Sequence, residues 1–234
     1  VTDFAWVGLI RHAESTGNVA REVAESSALH FIDIDERDAD VPLSPEGERQ
    51  GAALAAHFAA LPEGELPDVV VASPCRRALH TAMLALPDHP VALVDERLRD
   101  RELGALDLLT RRGLAHRYPE ELARKRRLGK FYYRPPGGES WADVALRLRS
   151  LLGDLERQHG GKRVLLVAHE VTALLLRYLL EGVPEPELLE HARTTVVPNA
   201  SLTAWERVGD GYLLRAAHTT AHLGDLDPLA VGGL

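Results

Sequence analysis

Apolar runs recur along the chain in a repeating context. Val7–Ile10 stops at Arg11-His12, Asp68–Ala72 at Ser73-Pro74-Cys75-Arg76-Arg77, and Lys162–Ala168 at His169-Glu170. Short continuous runs rich in Val, Ile and Leu predict strands buried on both faces of a parallel sheet. Val91–Val94 predicts a further strand. The stretches from about Ser201 to Arg207 and from Tyr212 to Ala217, separated by Gly209-Asp210-Gly211, predict a hairpin.

Between the strands the spacing changes to that of helices. Ser44 suits an N-cap and Pro45 a first helical position, ahead of the stripe Ala52, Leu54, Ala55 and Phe58 and an end near Leu61-Pro62. A helix follows Ser73-Pro74. Pro135-Pro136-Gly137-Gly138 is a hard break, after which Ser140 and Asp143 form a capping-box variant for a helix carrying Val144, Leu148, Leu151 and Leu155 inward. Val171–Leu180 predicts an apolar helix closed by Gly182 and Pro184. The segment from Asn18 to about Val41 lacks clear periodicity and is expected to be an irregular loop with one helical turn, and the chain after His222 to be weakly structured.

These elements predict an α/β fold, and no repeat, low-complexity segment or linker divides the 234 residues. One domain over 1–234 is expected, with about 105–140 as a cap-like insertion. The hydrophobic share of 45% and charged share of 26% are those of a globular chain. A single cysteine, Cys75, excludes an intrachain disulfide and a thiolate metal cage, and no signal-like or membrane-spanning segment is evident, so a cytoplasmic protein is expected.

The net charge of −8 argues against general nucleic-acid binding but leaves room for a local anion site. The basic and aromatic stretch Arg111–Arg134 also holds Glu120 and Glu121, which favours a solvated helical face or the rim of an anion site over a nucleic-acid patch. The acidic run Ile32–Asp40 lacks the glycine turn and terminal Glu of a calcium loop and reads as surface.

The chemistry follows from the topology. In a parallel sheet the three basic run ends share one edge, so Arg11, His12, Arg77 and His169 converge there, with helix N-termini aimed at the same crevice. Two guanidiniums, two imidazoles and the Asn18 amide suit a phosphoryl group, and no P-loop Lys or carboxylate pair for Mg²⁺ is evident. Metal-free phosphoryl transfer without a cofactor is therefore expected.

Five motifs in order then give the chain a family likeness. Arg11-His12-Ala13-Glu14-Ser15-Thr16-Gly17-Asn18 resembles the Arg-His-Gly-Glu-Ser-x-x-Asn opening of the histidine phosphatase superfamily, with Ala13 for the usual glycine. Ser73, Arg77, Ala78, Thr81 and Ala82 fit its Ser-x-x-x-Arg-Ala-x-x-Thr-Ala pattern. Leu98-Arg99-Asp100-Arg101-Glu102-Leu103-Gly104 fits its acid loop with Asp for Glu, Gly138-Glu139-Ser140 its Gly-Glu-Ser element, and His169-Glu170 its second histidine.

The resemblance, which covers nearly the whole chain, implies a three-layer α/β/α sandwich with a mostly parallel central sheet and a small cap insertion. It implies a histidine acid phosphatase-type phosphoric monoester hydrolase, with a phosphohistidine on His12 and Asp100 as acid and then base. Arg11, Arg77 and His169 would stabilise the transferring group. Asn18, Ser15, Arg11, Arg77, His169 and Glu170 would bind substrate. Glu102 is the competing acid. His80, Arg76, His218, His222, Tyr132, Tyr133, Trp141 and Cys75 read as surface or packing, and Glu14 and Glu170 need a partner to be tolerated beside a phosphate. The expected partner is a small phosphorylated metabolite, with no nucleic acid or membrane and with a homodimer compatible. The alternatives are a phosphoglycerate-type phosphomutase and a non-catalytic phosphate-binding module.

Overall fold

The computed structural model describes residues 3–89 and 93–226. Trp6–Arg11 (β1), Val69–Ala72 (β2), Leu93–Val94 (β3), Arg163–Ala168 (β4), Leu202–Val208 (β5) and Gly211–Thr219 (β6) form one sheet ordered β3-β2-β4-β1-β5-β6. The pairs β3-β2, β2-β4 and β4-β1 are parallel, whereas β5 pairs antiparallel with β1 and β6 with β5. The mostly parallel sheet expected from the apolar runs is present. The first part of the Val91–Val94 prediction lies outside the described residues; Leu93 and Val94 are in strand.

Side chains alternate across the pleat and build a core on each face. Val7, Leu9, Val164 and Leu166 pack with Trp141, Leu148 and Leu175, from the helices Trp141–His159 (α6) and Glu170–Leu176 (α7). Ile10, Leu165 and Val167 pack with Leu54, Phe58 and Ala82, from the helices Pro45–Ala59 (α2) and Arg76–Ala85 (α3). This is the α/β/α sandwich. Ser44 caps α2 through the Gly47 amide, and Ser140 and Asp143 form a complete capping box on α6. Within the α2 stripe, Leu54 and Phe58 are buried but Ala52 faces solvent, and Gln50 and Gly51 take buried positions instead.

Three predictions need correction. The expected loop after Asn18 is the helix Thr16–Ser26 (α1), and a single turn at Asp38–Asp40 follows it later. Its apolar Val19 and Val23 face solvent while Ala24 is buried, so the apolar pattern does not mark the packed side. Pro184, expected only to close the preceding helix, also stands at the N-cap of a further helix, Glu185–Thr194 (α8). His222 to Leu226 lie in a 3-10 segment with Leu223 in the core; the rest of that stretch is outside the described residues.

The segment between the acid loop and α6 carries the helices Arg111–Arg117 (α4) and Pro119–Tyr132 (α5). It leaves and returns at one neck, where Glu139 N–H donates to the Glu102 carbonyl at 2.9 Å and Ala105 N–H to the Pro136 carbonyl at 2.9 Å. Gly104 sits there at φ +56°, and a Cβ on it would come within 2.2 Å of the Pro136 oxygen.

The start of α2 presses against the loop that follows His12, and a Cβ on Gly47 would lie 1.9 Å from the Glu14 carbonyl oxygen. Gly47→Ala is expected to cost about 1–3 kcal/mol, the scale of overpacking a tight contact. Gly64→Ala, with nothing near its added methyl, provides the control in urea unfolding.

Candidate active site

The strand register builds the site. Arg11 pairs with Ala168 and Ala72 with Val167, so β1, β4 and β2 end level. The ladder continues one residue further: His12 N–H donates to the Ala168 carbonyl at 2.8 Å and Ser73 N–H to the Val167 carbonyl at 2.9 Å. His12, Ser73 and His169 thus stand in a row at the carboxyl edge, where open α/β sheets bind ligands. Arg11, His12, Ser15, Asn18, Arg77, Asp100 and Glu170 all line one cleft of about 470 Å³ there.

The His12 ring is buried, with Nδ1 at 2.8 Å from the Ala13 carbonyl. An Nδ1–H donated to that oxygen leaves the lone pair on Nε2. Burial, then His169, Arg77 and Arg11, push the His12 pKa well below the ordinary histidine value, so the imidazole is neutral at neutral pH. Ala13 does not have a left-handed backbone; its N–H donates to Thr81 Oγ1 at 3.0 Å and its methyl is buried. The departure from the glycine pattern therefore costs no strain.

His169 lies edge-to-face with His12, ring centroids 5.2 Å apart. Its Nε2 is 2.8 Å from Ser73 Oγ, which itself accepts the Cys75 N–H at 3.3 Å. With the Ser73 proton given to Nε2, the His169 proton resides on Nδ1. That atom is buried without a hydrogen-bond partner and lies 3.6 Å from Asp100 Oδ2. Burial, then Arg77 and Arg11, depress the His169 pKa in the same way.

Arg11 donates from Nη1 to the Val197 carbonyl, while its Nε is buried without a partner. Burial lowers its pKa, with Glu170 and Asp100 pulling it back; arginine remains charged. Arg77 is nine-tenths buried: burial opposes its charge, but Asp38, then Cys75 and Asp100, outweigh that and raise its pKa. Its guanidinium meets the Asp38 carboxylate at 3.0 Å and the Asp38 carbonyl at 2.5 Å. Buried, unsatisfied donors on Arg11 and His169 are the groups that oxygens of a phosphoryl anion would satisfy.

Asp100 faces this cluster, 3.8 Å from Arg77, whereas Glu102 is exposed and does not line the cleft. The loop is held from behind. Glu139 binds Arg147 at 2.9 Å, Arg99 at 2.8 Å and the Glu102 N–H at 3.1 Å, and Arg147 Nη2 donates to the Asp100 carbonyl at 3.1 Å. Burial would raise the Glu139 pKa, but Arg147, the Glu102 amide and Arg99 hold it below the usual carboxylate value.

Ser15 caps α1 and donates to Asn18 Oδ1 at 3.0 Å; that oxygen also accepts Asn199 Nδ2 at 3.1 Å, which leaves the Asn18 NH₂ for the cleft. Glu14 turns away and accepts the Ser44 hydroxyl at 2.6 Å. Glu170 is exposed at the cleft wall. Arg76 is exposed and His80 half-buried, both outside the cleft; His218 is buried against Thr203, and His222 lies against the Ala200 carbonyl. Trp141 and Tyr133 are core residues, but Tyr132, read as packing, is exposed. Cys75 is buried, which raises its thiol pKa.

Sequence reasoning missed Asp38 and Asn199. Nothing local marks Asp38. Asn199 did carry a signal: it lies three residues before β5, and an antiparallel neighbour of β1 begins where β1 ends, so Asn199 also donates to the His12 carbonyl at 2.9 Å. Among the described residues no three His, Cys, Asp or Glu side chains gather as metal ligands, and no helix is long and apolar enough to cross a membrane.

A row of imidazoles and arginines stands on the carboxyl edge of a mostly parallel sheet in a three-layer α/β scaffold, an arrangement that suits a phosphoryl group. The sequence profile of the histidine phosphatase superfamily (branch 1) matches residues 7–220, and the chain belongs to that superfamily. It is 33% identical over 167 residues to a 6-phosphofructo-2-kinase/fructose-2,6-bisphosphatase of Caenorhabditis elegans, a match covering 69% of this chain and 35% of that one. The chain thus spans about a third of that relative's length. It is 27% identical over 221 residues to a protein named probable phosphoglycerate mutase GpmB of Yersinia enterocolitica, covering 93% of this chain and 94% of that one. Among solved structures, a mycobacterial glucosyl-3-phosphoglycerate phosphatase superposes with TM-score 0.73 and 26% identity over 92% of this chain and 99% of its own. The alpha-ribazole phosphatase of Shigella flexneri shares the fold, with TM-score 0.72 at 22% identity over 92% and 96%. Phosphatases and phosphomutases are thus this chain's kin, and its coarse chemistry is phosphoryl transfer.

The depressed histidine values predict a pH dependence of stability. Below about 6.5 the unfolded chain takes up protons that buried His12 and His169 refuse. Stability is therefore full above that pH and falls as pH drops toward the folded values. Urea midpoints at pH 7.5 and 5.5 check this; the His12→Asn, His169→Asn double variant is expected to show a shallower decline.

Proposed function

We propose that this protein is a metal-independent phosphomonoesterase acting on a small phosphorylated metabolite through a phosphohistidine on His12. The observation that carries the reading is the neutral His12 ring, with Nδ1 engaged by the Ala13 carbonyl and Nε2 free, sharing a cleft with Arg11 and Arg77 and packed edge-to-face on His169. Nε2 forms a bond to phosphorus as the ester P–O bond breaks, and Asp100 delivers a proton to the leaving oxygen. Water then attacks the phosphohistidine, Asp100 takes its proton, and inorganic phosphate leaves with His12 restored. The arginines and the His169 Nδ1–H stabilise the equatorial oxygens throughout, and the Asn18 NH₂ orients them.

The position of Asp100 near both His169 and Arg77 supports it over Glu102 as the proton carrier. Asp38 competes with phosphate for Arg77, so substrate binding exchanges one anion for another at that guanidinium. A phosphomutase is the second reading, supported by the near full-length likeness to the Yersinia protein; it differs only in returning the phosphoryl group to a hydroxyl instead of water.

Steady-state phosphate release from a panel of phosphomonoesters in EDTA tests the proposal. Turnover is expected, with His12→Ala reducing it by about 10³-fold or more. Asp100→Asn is expected to slow alkyl esters by about 10²–10⁴-fold. It should slow p-nitrophenyl phosphate far less, because the nitrophenolate leaves without a proton. Glu102→Gln is expected to change little. Phosphoryl exchange without phosphate release would favour the mutase, and no turnover of any kind would overturn both.

A further inference from the structure

Residues 197–201, which lead into β5, reach several of the site's groups at once. The Val197 carbonyl accepts Arg11 Nη1, and the Ser201 carbonyl accepts the Arg11 N–H at 3.1 Å. The Asn199 side chain and the Ala200 N–H both donate to the His12 carbonyl, at 2.9 and 3.2 Å. The chain makes this approach by turning at Ala200 with φ +56°, a left-handed backbone on a residue whose methyl is buried. Such a conformation persists in a residue other than glycine only where its surroundings impose it, and it gathers at functional sites.

Asn199 does what its neighbours do not. Its amide nitrogen carries two protons and lies 2.9 Å from the His12 carbonyl oxygen and 3.1 Å from Asn18 Oδ1. One NH₂ group therefore spans the backbone of the attacking residue and the side chain that orients the phosphate. The capping box, in which the Ser15 N–H and hydroxyl each donate to Asn18 Oδ1 at 3.0 Å, fixes Asn18 only relative to the start of α1. The Asn199 bond ties that first turn to the carboxyl edge of β1. Without it the His12 carbonyl would keep the Ala200 N–H, whereas among the described residues Asn18 has no second hydrogen bond to this segment.

We infer that Asn199 is a positioning residue, which holds the Asn18 amide at the distance from the His12 ring that one phosphoryl group spans. The inference rests on the phosphohistidine reading of the site and adds to it a residue that does not itself line the cleft. Its effect falls on the transfer step more than on resting binding. As Nε2 closes on phosphorus the equatorial oxygens flatten into one plane, and an amide displaced by about 1 Å no longer meets them, an error of the size that costs about 10²-fold.

The probes are orthovanadate, which takes up the five-coordinate geometry of the transfer, and inorganic phosphate, which does not. Their dissociation constants are read by calorimetry, so no ester need turn over. Asn199→Ala is expected to weaken vanadate by about 10- to 100-fold and phosphate by less than about 3-fold. Asn199→Leu, of similar volume and without a donor, is expected to match it, which separates the lost hydrogen bond from lost packing. In an Asn18→Ala background the same Asn199→Ala change is expected to cost less than about 3-fold in vanadate affinity, because the amide it positions is gone. A residue that merely supports the fold would cost the same in both backgrounds. Thermal unfolding shows which variants are folded, and Asn199→Leu carries the comparison if Asn199→Ala is not. Vanadate affinity unchanged in a folded Asn199 variant, equal losses with and without the Asn18 amide, or unfolding of both Asn199 variants overturns the inference while leaving the phosphohistidine reading intact. A wild-type protein that binds neither vanadate nor phosphate overturns both.

Discussion

The site depends on two backbone hydrogen bonds that continue the sheet one residue past its formal end, from His12 to Ala168 and from Ser73 to Val167. They hold the residues after β1 and β2 level with the end of β4. One slip of register would turn each following side chain to the other face. Burial of the strands on both sides resists such a slip, because Val7, Leu9, Ile10 and the β4 residues Val164–Val167 all lie in one core or the other. The chemistry at the edge is therefore as exact as the packing behind it.

That edge collects charge at a cost, and the fold offsets it unevenly. Arg77 is compensated by Asp38 and Asp100, Arg97 by Asp95 and Asp154, and Arg147 by Glu139. Arg11 and His169 keep buried donors unsatisfied. A buried donor left without a partner destabilises the folded chain and rewards whatever anion arrives. The pattern separates groups whose charge is met within the fold from groups whose buried donors are left unmet. Glu139 belongs to the first kind, since it ties the Asp100 loop to α6 without entering the cleft.

The β1, β2 and β4 strands, the final hairpin, the caps at Ser44 and Ser140, the shared cleft of Arg11, His12, Arg77 and Asp100, and His169 beside His12 could all be read from residue order. They are legible because apolar runs, cap residues and parallel topology are local signals with geometric consequences. Helix α1 was not, since its two valines lie on the solvent side and its packed side is marked by Ala24 alone. Helix α8 starts at the proline used to end its predecessor and buries Leu188 alone. Asp38 meets Arg77 across a chain separation that no local pattern encodes. The choice between Asp100 and Glu102 needed side-chain direction, which a loop without periodicity does not reveal.

The neck formed by Glu102, Ala105, Pro136 and Glu139 sets how much change the segment between them tolerates. The segment it encloses departs and returns through adjacent, mutually bonded positions, so its ends are clamped whatever lies between them. Loop-closure entropy grows only slowly with length, so a segment pinned in this way can lengthen, shorten or be rewritten at small energetic cost to the remainder. The residues of the cleft edge and the segment beyond the neck are thereby separable parts of one chain. Changes in the length or sequence of that segment therefore leave the register that aligns β1, β2 and β4 as it is.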